Sequence, residues 1–99
     1  MTAKIVKDIA AKFSIGEDEL IQQGIKAFLQ DQLHLMEIER RKIFAEFNVQ
    51  NLDEFDKLLI KYPDKESTML EDFQRADYLT HRIEEVTQFI KELNGNGQS

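Results

Sequence analysis

The chain of 99 residues contains no cysteine and no tryptophan, one proline and four glycines. Without cysteine it can form no disulfide framework, no thiol nucleophile and no zinc site with cysteine ligands. We therefore expect a reducing, cytoplasmic setting. With so few prolines and glycines, and almost no alternation of apolar and polar residues, the sequence offers few signals for strands or hairpins. These absences favour an all-α fold.

The sequence also lacks long hydrophobic runs and an excess of basic residues. No stretch approaches the roughly 18 consecutive apolar residues that a membrane span requires. The first segment, MTAKIVKDIAAKF, has lysines among its apolar residues and so does not resemble a secretory signal. Nineteen acidic against thirteen basic residues give a net charge of −6, which disfavours binding to a phosphate backbone. We expect neither a membrane location nor bulk nucleic-acid binding.

Apolar residues at helical spacing indicate a single helical domain. A chain of 99 residues can bury one modest core but not two. We therefore expect residues 1–94 to form the domain and residues 95–99 a flexible tail. The predicted helices cover about residues 3–13, 17–47, 52–62 and 69–93.

Three of these helices begin at recognisable capping signals. Gly16 can serve as the N-cap of the second helix, because three acidic residues follow it at the positive end of the helix dipole. Asn51 and Glu54 form a capping-box pair before the third helix, and Thr68 and Glu71 form another before the fourth.

The ends of the helices are indicated by breakers. No breaker precedes Asn48, so the second helix should run for about thirty residues. Pro63 should end the third helix, because the residue before a proline is pushed out of the helical region. Asn94 and Gly95 should end the fourth helix.

The length of the second helix predicts an assembly. At ~1.5 Å per residue, thirty residues span about 45 Å, whereas a compact chain of this size has a radius of gyration of about 13 Å. In the fourth helix a heptad seam is formed by Met69, Ala76, Ile83 and Ile90, which recur every seven residues, and by Leu79, Val86 and Leu93. We predict an elongated antiparallel arrangement in which this helix lines one side of the second. The uncovered stripe should pair in a homodimer, or in a hetero-complex that buries the same surface. The predicted dimer or partner interface comprises Ile21, Ile25, Phe28, Leu29, Leu33, Met36, Ile43, Phe47, Ala76, Leu79, Ile83, Val86 and Ile90.

No constellation for catalysis or for a metal stands out. Asp31, His34 and Glu37 can share one helical face, but di-iron bundles need two Glu-x-x-His pairs and two further glutamates. The residue three before His81, the only other histidine, is Tyr78. The sequence contains neither a nucleophile motif, nor a phosphate-binding glycine loop, nor an HExxH motif. We therefore predict no catalytic residue, no metal ligand and no cofactor, and a protein that is not an enzyme.

Two groups of basic residues are candidates for nucleic-acid contact. Those in residues 40–42 diverge around the helix and do not present one side. Lys4, Lys7 and Lys12 can share a side of the first helix, but three charges are a weak signal.

The stretch AAKFSIGEDELIQQGIKAFLQDQL resembles the two-helix part of ribbon-helix-helix proteins. The order of elements along the chain also looks like that of small antitoxin-like proteins of prokaryotes. The positions that match the ribbon-helix-helix pattern are Phe13, Ile15, Glu19, Leu20, Ile21, Gly24, Ile25, Phe28 and Leu29.

The resemblance implies helical dimerisation and binding of a toxin more than it implies operator binding. Ribbon-helix-helix dimers read DNA with an N-terminal strand from each subunit, and the first helix here uses nearly all residues before Gly16. If Thr2 to Val6 formed a strand instead, DNA binding would become a stronger hypothesis.

Three hypotheses for the function follow. The first is a non-enzymatic, antitoxin-like interaction protein that neutralises a basic partner toxin through apolar helix faces and an acidic surface. The second is a homo-oligomeric coiled-coil or bundle adaptor that pairs through residues 69–93. The third is a DNA-binding transcriptional regulator.

Overall fold

The computed structural model describes the backbone of residues 2–62 and 66–98, and the side chains of residues 3–62 and 69–95. Within these ranges all regular secondary structure is α-helical and no strand forms, which confirms the predicted all-α fold with four helices. In chain order the helices are α1 (Thr2–Lys12), α2 (Glu17–Glu46), α3 (Leu52–Lys61) and α4 (Glu66–Gln98).

The predicted starts of α2 and α3 are confirmed. Gly16 is the N-cap of α2, with extended backbone (φ −67°, ψ 148°). Asn51 Oδ1 accepts a hydrogen bond from the backbone N–H of Glu54 at 2.9 Å. The carboxylate of Glu54 accepts in return from the N–H of Gln50 at 2.9 Å, one residue before the capping-box position. Local hydrogen bonds thus fix where α3 begins.

Helices α1 and α2 both end in a Schellman motif. At the end of α1, Ser14 has φ 55° and the N–H of Ile15 donates to the carbonyl of Ala10 at 2.9 Å. At the end of α2, Asn48 also has φ 55° and the N–H of Val49 donates to the carbonyl of Phe44 at 2.9 Å. Asparagine tolerates this left-handed conformation well, whereas serine carries a steric cost there.

Replacing Ser14 by glycine is therefore expected to stabilise the protein. Relief of the left-handed strain should exceed the extra entropy of glycine in the unfolded chain and raise the free energy of unfolding by about 0.5 to 1 kcal/mol. Urea denaturation of the two proteins measures this difference. Ser14→Ala is the control, because it keeps the Cβ atom and should bring no gain; an equal gain from both would contradict the explanation.

Helix α4 is longer than the sequence predicted, and both predicted boundaries are wrong. It begins at Glu66, so Thr68 lies in its first turn and is not the N-cap. The side chain of Thr68 is outside the described residues. At the other end α4 continues through Asn94 and Gly95 to Gln98. Glycine and asparagine end a helix by turning left-handed, and no described glycine has positive φ.

The core forms where α2, α3 and α4 meet. Helices α2 and α4 run antiparallel, as predicted: Glu39 of α2 pairs with Arg75 of α4, whereas Ile25, nearer the start of α2, lies beside Phe89, nearer the end of α4. Phe55 of α3 is completely buried. The centroid of its ring lies 4.8 Å from that of the Phe47 ring and 5.5 Å from that of the Phe73 ring, which it meets edge to face. The buried residues of this cluster are Ile43, Phe55, Leu59, Met69, Ala76 and Leu79.

An ion pair and a hydrogen bond reinforce the contact of α2 with α4. Arg75 donates two hydrogen bonds to the carboxylate of Glu39, one of them from Nη2 to Oε1 at 2.9 Å. These bonds hold the pKa of Glu39 below its usual range, so the stabilisation is present at neutral pH and is lost as pH falls through the folded-state pKa. Because both side chains of the pair are half-exposed, solvent screens the interaction and its contribution to stability is small. Arg40 Nη1 donates to Thr80 Oγ1 at 3.2 Å.

The molecule is an elongated body of 61 × 28 × 18 Å with a radius of gyration of 19.5 Å. A compact chain of this length would have a radius of about 13 Å. The buried cluster involves the C-terminal part of α2 and the N-terminal part of α4, so it lies towards one end of the long helices. The N-terminal half of α2 extends beyond it.

Candidate interaction surface

Large hydrophobic side chains are exposed mainly in the N-terminal third of the chain. Among the described residues, seven of the eleven exposed ones fall within residues 5–35. Those on α2 are Ile21, Ile25, Phe28 and Leu35, and Phe89 of α4 lies beside them. We call these five residues the apolar face; each is between 45% and 62% exposed.

The apolar face is continuous across the two long helices. A groove of about 310 Å³ lies between them; four apolar residues and one acidic residue line it, namely Ile25, Leu29, Phe89, Leu93 and Glu92. On α2, Ile25 is one helical turn from both Ile21 and Phe28, so all three share a side. The face therefore joins a stripe along α2 to an apolar groove beside α4.

Helix α1 exposes the stripe that its sequence pattern assigns to packing. Ile5, Ile9 and Phe13 are 57%, 39% and 75% exposed, and among residues 3–13 only Ala10 is buried. Val6 is half-buried. Because an isolated helix of eleven residues is only marginally stable in water, α1 depends on packing. Its apolar surface finds little packing within its own chain.

The residues predicted for a partner interface fall into three groups. Ile21, Ile25 and Phe28 are exposed. Five residues of the intramolecular core are buried: Ile43, Ala76, Leu79, Ile83 and Val86. The half-buried ones are Leu29, Leu33, Met36, Phe47 and Ile90. The surface left for a partner is thus narrower than the predicted stripe, and the heptad seam of α4 packs within its own chain.

Leu35 and Phe89 belong to the apolar face but are absent from the predicted interface. Leu35 follows Ile21 and Phe28 at intervals of seven residues, so the sequence contained a signal for it. Phe89 lies beside the heptad seam of α4, and only the packing of α4 against α2 places it next to Ile25.

The basic residues of α1 lie on a helical surface. Lys4, Lys7 and Lys12 are all exposed. Helix α1 begins at Thr2, so the segment from Thr2 to Val6, which a DNA-reading ribbon would require as a strand, is helical. The condition under which DNA binding would have become a stronger hypothesis is therefore not met.

Of the basic residues near the end of α2, Arg40 is held by contacts within the chain. Arg40 lies 5.9 Å from the centroid of the Phe44 ring and also donates to Thr80. An open cleft of about 380 Å³ is lined by Arg40 and Phe44 together with Glu37 and Arg41. The acid beside the arginines and the exposure of the cleft make it a solvated helix surface and not a built anion site.

The histidines and carboxylates are spread along the helices. His34 is exposed on α2. His81 Nε2 lies 3.5 Å from Asp77 Oδ1, and its Nδ1 lies 4.0 Å from Glu84 Oε2, all three on the outside of α4. In the part of the chain that the structure describes, no three histidine or carboxylate side chains converge as metal ligands would. No helix built from those residues is both long and apolar enough to cross a membrane.

Comparison with known proteins identifies the family. No solved structure matches the chain significantly. It is similar to the Uncharacterized protein MJ0235 of Methanocaldococcus jannaschii, with 30% identity over 77 residues, which cover 78% of this chain and 94% of that protein. The family model for Uncharacterized protein MJ0235 matches residues 1–98. On both grounds the chain belongs to the Uncharacterized protein MJ0235 family.

Proposed function

We propose that this protein is a non-enzymatic interaction protein of the antitoxin-like kind, which binds and restrains a partner protein. The observation that supports this most is the exposure of the apolar stripe of α1, formed by Ile5, Ile9 and Phe13. Apolar area of this kind on a short helix with little internal support marks an interaction site. A partner that covers the stripe would stabilise α1 as it binds.

The charges beside this stripe suit a basic partner. Three acidic residues, Glu17, Asp18 and Glu19, form the first turn of α2 and lie between Phe13 and Ile21 in the chain. The whole protein has a net charge of −6. Charge complementarity would speed the encounter and favour the correct partner, while the apolar stripe would supply most of the affinity. A basic, RNA-directed toxin has the required chemistry.

Co-expression with the product of the adjacent gene tests the proposal. We expect a complex that survives affinity purification and relieves the toxicity of the neighbour. Phe13→Asp should weaken the complex by about 30-fold or more, because it places a charge in the covered stripe. Binding should also weaken as salt is raised.

Ile60→Asp is the matched control for Phe13→Asp. Ile60 lies on α3 and is 74% exposed, about as much as Phe13 at 75%. It is outside both α1 and the apolar face, so the control should bind as tightly as the parent protein. Absence of a stable complex together with unrelieved toxicity would refute the antitoxin-like function.

A further inference from the structure

We propose that a second copy of this chain covers the apolar face, and that the two copies of α2 pack antiparallel and cross near Phe28. This goes beyond the proposed function, because it assigns the face on α2 and α4 to self-association and leaves the stripe of α1 to a different protein. Surface area, charge and the spacing of the apolar residues each support it.

The accessible surface is larger than that of a typical compact monomer of the same mass. The chain exposes 7672 Å², whereas a folded monomer of 11.6 kDa exposes about 5,800 Å². The excess is about 1,800 Å², and a stable interface of standard size needs only about 800 Å² from each partner. The excess surface is therefore large enough for an interface with one further protomer. The apolar face lies within the exposed surface and spans both long helices.

The distribution of charge favours a second copy at this face. Two chains of net charge −6 repel each other over most of their surface. The segment 20–36, which contains the α2 part of the face, has one lysine and one aspartate, Lys26 and Asp31, and so has no net charge. Self-association through it brings together the least charged part of each molecule.

The spacing on α2 defines the register. Ile21, Phe28 and Leu35 are seven residues apart, so Phe28 is the centre of the stripe. Antiparallel helices related by a two-fold axis at Phe28 place Ile21 of one protomer opposite Leu35 of its partner. A parallel pair would instead bring together the two acidic first turns at residues 17–19, which repel each other.

Gly24 allows the helices to approach closely at this point. It lies one turn before Phe28 in the interior of α2, where glycine is an unfavourable residue. A Cβ atom built on it meets nothing within 4 Å in the chain, so internal packing does not require glycine here. A second helix that crosses near Phe28 could approach closely here, because glycine has no side chain in the way.

Sedimentation equilibrium of the full chain tests the dimer. We expect twice the chain mass of 11.6 kDa at micromolar concentration, and tighter association at high salt, because salt screens the repulsion between like-charged copies. Phe28→Asp should weaken dimerisation by about 30-fold or more and retain the helical circular dichroism spectrum, since Phe28 is 62% exposed in the chain. A mass of 11.6 kDa, that of a single chain, at all protein concentrations would overturn the proposal.

Two control variants make this test specific. Ile60→Asp alters an isoleucine of α3 that is 74% exposed, and Phe13→Asp alters the stripe of α1. Both variants should remain dimeric. A dimer that is disrupted by Phe13→Asp but not by Phe28→Asp would place the interface on α1 and overturn the assignment. Loss of toxin binding in a variant that is still dimeric would concern only the proposed function.

Introduced thiols test the register, because the chain has no cysteine of its own. Phe28→Cys should cross-link to itself with a short thiol-reactive linker. Ile21→Cys and Leu35→Cys should cross-link when the two variants are mixed and refolded together, and neither should do so efficiently alone. Efficient cross-linking of each variant with itself, and no cross-link between the two variants in the mixture, would overturn the antiparallel arrangement.

Discussion

Replacing Phe55 by alanine is expected to lower the free energy of unfolding by about 3 to 5 kcal/mol. The Phe55 side chain is completely buried and its ring is in contact with the rings of Phe47 and Phe73. Its removal takes apolar surface out of the core and leaves a cavity that three helices bound. A domain of this size is stable by about 5 to 15 kcal/mol in total, so urea denaturation followed by circular dichroism should show a large shift of the midpoint.

Ile60→Ala is the matched control for Phe55→Ala. Ile60 lies on the same helix, α3, but is 74% exposed. The change should cost less than about 1 kcal/mol, because little apolar area is lost from the interior. Both variants must be compared at one protein concentration, since association would contribute to stability. Similar losses from the two changes would contradict the position of Phe55 at the centre of the core.

Elements fixed by local chemistry could be predicted from the sequence. Gly16 and Asn51 cap helices through their own backbone or side chain, and neither depends on distant packing. The left-handed serine at position 14 could not be predicted, because serine has no special preference for that conformation. The continuation of α4 past Asn94 and Gly95 was also missed, since both residues are only weak breakers when the backbone stays helical.

The division of apolar residues between core and surface could not be read from their spacing. Helical periodicity is the same for the buried seam of α4, such as Ala76 and Leu79, as for the exposed stripe of α2, such as Ile21 and Phe28. Which stripe is covered depends on where the chain reverses. Because α3 returns the chain next to the C-terminal part of α2, the core forms there. The other helices that contact α2 are α4 and the short α1.

Ending the chain at Tyr62 is expected to abolish cooperative folding. The truncation removes α4. Of the nine buried hydrophobic residues in the part of the chain whose side chains are described, this helix supplies five: Met69, Ala76, Leu79, Ile83 and Val86. The remaining helices would expose Ile43, Phe55 and Leu59 to water. Since that loss exceeds the stability of a domain of this size, circular dichroism should show much less helix per residue and no sigmoidal transition on heating.

A chain that ends at Gly95 is the control, because it keeps all nine of these residues and should unfold cooperatively. A folded, cooperative fragment ending at Tyr62 would contradict the assignment of α4 to the core. The expected result also determines how association must be studied. If α4 is needed for the fold, its deletion would abolish dimerisation wherever the interface lies, so loss of the dimer could not support pairing through residues 69–93. Only substitutions of exposed residues, such as Phe28→Asp against Ile60→Asp, can locate the interface while the fold is kept.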